Sequence, residues 1–120
     1  MTLIEIVILI RDIASIALMA TGLVFVLAGA LGVLRLPDFF TRMHAAGVTD
    51  TLGAELIVLS LMLQACFTLL SAKLLLVGFL LFLTSPTATH AVANAAHRAG
   101  EKPLLSRFHP KHPRDREGDA

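Results

Sequence analysis

Apolar positions fall into three long uncharged runs separated by short mixed links. Ile13–Leu34, Leu56–Ala72 and Leu74–His97 contain no Asp, Glu, Lys or Arg. A bilayer's hydrocarbon core of ~30 Å takes ~20 helical residues at ~1.5 Å rise each. The runs are close to that length, the second once its flanking turn is added. They predict membrane-spanning helices over about 13–35, 49–70 and 74–95. The expected fold is therefore all-α, a polytopic membrane protein with three spans. A soluble chain would need three helices hydrophobic all round, with too few polar residues to cover them.

The links add detail. The first helix is expected to begin within Ile6–Ile16, with Arg11 and Asp12 near the interface. It should end near Leu36, because Pro37 disfavours helical geometry in the residue before it. The link RLPDFFTRMHAAGVTD then places Pro37 and Asp38 in a first helical turn, the acid facing the positive end of the dipole. Phe39, Phe40 and Met43 give an apolar edge, and Asp38 and Arg42 stand four apart. This predicts a short interfacial helix at the headgroups. Only Ser71-Ala72-Lys73 parts the second run from the third, which requires a tight antiparallel hairpin. Beyond Gly100 the chain turns to charge and proline, EKPLLSRFHPKHPRDREGDA, and reads as a disordered basic tail over 101–120, after a membrane domain over 1–100.

Ala28-Gly29-Ala30 resembles a signal-peptidase site, but MTLIEIVILI carries Glu5 and no basic n-region, so the first span is read as retained. Composition agrees with the runs: 56% of residues are hydrophobic. The net charge of +1 gives no field that would draw nucleic acid. The single Cys66 reads as a small hydrophobe. Arg35 and Arg42 share a side with Arg98, Lys102, Arg107, Lys111, Arg114 and Arg116, against Arg11 and Lys73 on the other. Positive charge marks the cytoplasm, so the N-terminus is expected outside and the C-terminus inside.

Within the spans, small and polar residues form rows. Ser15, Gly22 and Gly29 recur every seven residues, with Gly32 one turn on; Gly53, Ser60 and Gln64 share a face, as do Gly78, Ser85 and Thr89. Such rows let helix backbones approach closely in lipid. Three thin helices have more of these faces than they can readily bury among themselves, which points to neighbouring subunits.

Four residues are ion-path candidates: Glu55, Thr84, Pro86 and His90. Glu55 lies ~8 Å deeper than Asp50 along a helix axis and opposite the Gly53–Ser60–Gln64 face. It either reaches interfacial water or Arg42, or lines a hydrated path. Pro86 removes a backbone donor inside the third span, a weak point that suits an ion path or a bent packing helix. His90, like His44 on the first link, can exchange protons near neutrality. Pro86, His90, Asn94 and His97 share a face, but no carboxylate or thiol completes a metal set. Neither metal nor cofactor is expected, and no nucleotide loop or nucleophile with its base points to an enzyme. Arg35 and Arg42 would hold anionic headgroups or a neighbouring chain.

Two blocks carry a family resemblance. GVLRLPDFFTRMHAAGVTDTLG, Gly32 to Gly53, resembles the signature region of the small G subunit of Mrp-type multisubunit monovalent cation/proton antiporters. FLLFLTSPTATHAVANAAHRAG, Phe79 to Gly100, resembles that family's third helix and its exit. The specific positions are Arg35, Pro37, Asp38, Arg42 and His44, then Thr84, Pro86 and His90; Glu55 and the long tail fall outside the pattern. The resemblance implies an accessory subunit in a bacterial inner-membrane complex exchanging cytoplasmic Na+ for external H+. Its partners would be the other subunits and the bilayer, and it would scaffold them and line part of the ion route. The equivalent small subunit of a membrane-bound hydrogenase or related respiratory pump is an alternative, as is a purely structural assembly protein. A small drug/proton exchanger would be similar in length, but that class resembles four spans with a carboxylate in the first, and Ile13–Leu34 has none.

Overall fold

A computed structural model describes residues 1–101, and these are almost entirely helical, with no strand among the described residues. The expected tail lies outside them, apart from Glu101. The first helix, α1, spans Leu3–Arg35 and starts earlier than its hydropathy suggests. The reason is a capping box. Thr2 Oγ1 accepts from the Glu5 N–H at 3.4 Å, and Glu5 Oε2 accepts from the Thr2 N–H at 2.8 Å. At the far end Leu36 is extended (φ −71°, ψ 137°) ahead of Pro37, as a pre-proline residue should be.

A short helix, α2 (Phe39–Val48), follows the first as expected. It does not stop there. A π-helical turn over Thr49–Gly53 carries it directly into α3 (Ala54–Ala65), making one rod from Phe39 to Ala65. The wide turn closes through the Ala54 N–H to the Thr49 carbonyl. Thr49 and Thr51 hydroxyls donate to the carbonyls of Ala45 and Gly47 (3.3 and 2.7 Å), competing with the ordinary ladder. At ~100° per residue, an ideal helix would carry Ser60 roughly 60° round from Ala45. The π turn takes up that drift and keeps Ala45, Thr49, Gly53 and Ser60 on one side.

The hairpin differs from the expected position. It lies at Cys66–Thr68, with Cys66 in a positive-φ conformation (φ 52°, ψ −151°) and Thr68 Oγ1 donating to the Ala65 carbonyl at 2.9 Å. Ser71, Ala72 and Lys73 lie in the opening turns of α4 (Leu69–Arg98). No Gly or Pro marks the true turn, so the charge of Lys73 alone suggested a boundary.

The rod lies between α1 and α4, and the two outer helices make no close backbone approach to each other. Residues buried between the helices are small, among them Ser15, Gly22, Gly29, Ala45, Gly53, Ser60 and Gly78. Large apolar side chains such as Leu34, Leu69 and Phe82 point outward. That inversion suits a bilayer, where lipid is as apolar as leucine and close backbone packing holds helices together. All three helices are long and apolar enough to cross a membrane.

Candidate functional site

Two seams and one groove position the candidate residues. Along the first seam α1 meets the rod through the rows read from the sequence. Ser15 and Ser60 cross toward its hairpin end, their hydroxyls 3.0 Å apart and each within reach of the other's backbone carbonyl (3.1 and 2.8 Å). Gly22 then faces Gly53, Gly29 faces Thr49 and Ala45, and Gly32 faces Ala45. These two faces close on each other inside the chain, so they are not the free faces that sequence reasoning reserved for neighbours. At the hairpin end Arg11 pairs with Asp12 (2.7 Å) and reaches Cys66 Sγ at 3.2 Å, while Gln64 donates to Asp12 at 3.4 Å. This cluster was not foreseen, because its two halves, Arg11–Asp12 and Gln64–Cys66, come from helices whose contacting residues are 52 and 55 apart in sequence. Cys66 is exposed in the turn rather than embedded in an apolar run.

The second seam joins α3 to α4. Glu55 leaves the rod on the side away from α1 and packs against Gly78, where a Cβ would stand 3.1 Å from Glu55 Oε2 and 3.2 Å from Val58 Cγ1. The face assignment from sequence thus matches, and Arg42 is not among its partners. Glu55 Oε1 is buried with no hydrogen-bond partner among the described residues. A Gly78→Val substitution should crowd the α3–α4 seam, because the new side chain must push the Glu55 carboxyl and Val58 aside. We expect a loss of ~1–3 kcal/mol, the usual range for overpacking, read as a lower melting temperature of the purified complex.

The groove lies between α2, the π turn and the later half of α4, with a volume of ≈ 380 Å³. It brings His44, Gly47 and Thr51 together with Ser85, Pro86, Thr89 and His90. Pro86 has no N–H to give the Phe82 carbonyl, yet α4 continues through it. Thr89 Oγ1 donates to the Ser85 carbonyl at 2.9 Å and Thr87 Oγ1 to Leu83 at 3.3 Å. Two backbone irregularities, the π turn and the proline, therefore face one groove, which is mostly apolar with a few hydroxyls and two histidines at its wall. Thr84 does not line it. The π turn escaped the sequence reading, and its one visible signal was the Thr-Asp-Thr spacing before Gly53.

The interfacial motif caps rather than pairs. Asp38 is buried and precedes α2; its carbonyl accepts from Thr41 Oγ1 (2.8 Å) and the Arg42 N–H (3.0 Å). Arg42 Nε donates to the Leu36 carbonyl instead of reaching the Asp38 carboxylate. That bond ties the end of α1 to the start of the rod across Pro37. Arg35 is exposed in the last turn of α1, where a cation favours the helix dipole.

Comparison with known proteins sets this geometry in a family. A family model described as Na+/H+ antiporter subunit, PhaG_MnhG_YufB, matches residues 18–97. A UPF0091 protein of Pyrococcus horikoshii is 37% identical over 84 residues, 70% of this chain and 82% of that protein. The Na(+)/H(+) antiporter subunit G1 of Staphylococcus aureus is 33% identical over 92 residues, covering 69% and 78%. Among solved structures, a chain of the Mrp complex from Dietzia sp. superposes with a TM-score of 0.74 at 24% identity. The match covers 87% of this chain and 94% of that one, and it supports the fold.

Proposed function

The chain belongs to the PhaG/MnhG/YufB family of Na+/H+ antiporter subunits, and on that premise we propose that it is an accessory subunit working beside larger antiporter subunits. The match over residues 18–97 carries this reading, since it takes in most of all three spans. The physical picture supports an accessory role. The three spans bury almost only small side chains among themselves, their outward faces are apolar, and the groove supplies hydroxyls and histidines without a continuous line of acids and bases across the membrane. In the complex, the chain scaffolds its neighbours, and the groove at Pro86 and His90 lines part of the route for the exchanged ions, cytoplasmic Na+ against external H+. Charge counting places the groove end, with Arg35, Arg42 and Arg98, on the cytoplasmic side, and the Cys66 hairpin with the N-terminus outside.

The deciding experiment measures sodium-dependent proton flux in membrane vesicles. Flux should require the full set of subunits and vanish when this chain is withheld. Exchange by the purified chain alone, or drug-dependent flux from it, would overturn the proposal. Pro86→Ala restores the missing backbone donor and stiffens α4 beside the groove. If the loosened turn works in each cycle, flux should fall by roughly tenfold, about 1.4 kcal/mol in the barrier, with the complex still recovered. Unchanged flux would remove Pro86 from the route.

A further inference from the structure

Glu55 is the acidic side chain that the accessory-subunit reading leaves without a task. It lies ten residues from the Ala65 end of α3, ~15 Å along the axis, or about half the hydrocarbon thickness. Its carboxyl enters a recess of ≈ 280 Å³ against Gly78, walled by Val58, Leu59, Met62, Leu75, Phe79 and Phe82. Oε1 is buried and unpartnered among the described residues.

We infer that Glu55 is a proton-carrying site that resides in the membrane as the neutral acid, and that it is not a sodium site. A hard cation stripped of water needs several oxygen ligands at once, and this wall supplies none beyond the carboxyl itself. A proton needs one oxygen and removes the charge whose burial is unfavourable. No group in the recess supplies a compensating cation. On α1, Arg11 is engaged with Asp12 and Cys66 near the hairpin, more than two turns away along the seam. On α4, Lys73 is exposed five residues before Gly78; on the π turn, Asp50 is exposed five residues before Glu55. Glycine at 78 lets the carboxyl lie against the α4 backbone, which fixes it in the seam.

The inference rests on the chain being an embedded subunit, but its test does not depend on which ions the complex exchanges. Dicyclohexylcarbodiimide is an apolar reagent for protonated carboxyls. The acid adds across one C=N bond, oxygen to carbon and proton to nitrogen, then rearranges to an N-acylurea. Nothing leaves, so the adduct carries the reagent's whole mass. In the intact complex in native membranes, peptide mass mapping should place the adduct on Glu55. Labelling should fall as pH rises and be indifferent to Na+. Glu55→Gln should lose the adduct while the complex is recovered within twofold of the parent. Protection by Na+ would make this a cation site and overturn the inference. So would labelling that appears only after partner subunits are stripped away, since a neighbour's basic group would then be holding a carboxylate. Absence of the adduct in both preparations, or failure of the glutamine variant to assemble, would overturn it as well.

Discussion

Gly29→Leu should remove most of the assembled subunit from the membrane, while Gly47→Ala should leave it intact. A Cβ at Gly29 would run into the Thr49 hydroxyl and stand 2.8 Å from the Ala45 carbonyl oxygen, closer than real Cβ atoms come. The obstacle includes backbone of the facing rod, which cannot swing aside as a flexible side chain would. Relief requires α1 and the rod to part along the seam that contains Ser15, Gly22 and Gly29. Overpacking a tight contact costs ~1–3 kcal/mol and occasionally more, and a leucine adds three further carbons. At ~1.4 kcal/mol per tenfold, recovery of folded subunit should fall between about fivefold and well over a hundredfold. At Gly47 a Cβ meets nothing within 4 Å, and alanine gains ~0.5–1 kcal/mol of helix preference over glycine. Equal recovery of the two variants would show that the seam is looser than described.

Ser60→Leu should be comparably damaging, whereas Ser60→Ala should be mild. Ser60 is completely buried and Ser15 is 3% exposed, so the crossing has no spare volume. Hydrogen bonds between helices in lipid average only ~0.6 kcal/mol, because the separated helices find other partners. Losing the hydroxyl alone should therefore lower subunit recovery by about threefold or less. Leucine at the same position must push two backbones apart. Adding Ser15→Gly opposite it should return part of the loss, because it vacates volume where the leucine needs it. No rescue would mean that Ser60 acts through something other than the contact with Ser15. Melting of the detergent-solubilised complex measures all three variants.

How much of this was legible follows from which signals are local. The three spans are a matter of length and hydropathy and could be read directly. The heptad row on α1 and its counterpart at Gly53 and Ser60 were legible too, because period and residue size are both written in the chain. What each row would meet was not. Close-packing surfaces look alike whether they serve a sister helix or another subunit, and here the first two serve each other. The start of α1 could have been found from Thr2 and Glu5, whose spacing is a capping signature that the charge argument passed over. The turn at Cys66–Thr68 could not, since it uses neither glycine nor proline. The cluster joining Arg11, Asp12, Gln64 and Cys66 depends on the rod's length and direction, which no short window contains. His44 and His90 were singled out separately; only the fold places them along one groove.

The wide turn at Thr49–Gly53 also sets the phase between the two ends of the central rod. It clocks Ala45 and Ser60 toward one outer helix and Glu55 toward the other. Regularising it to an ordinary α turn with the same number of residues would rotate everything beyond it by ~100°, swinging the carboxyl out of its recess and turning Ser60 away from its mate. The width of this turn is therefore pinned as tightly as any side chain in it, and a one-residue deletion that converts it to an α turn should be tolerated far better than a one-residue insertion.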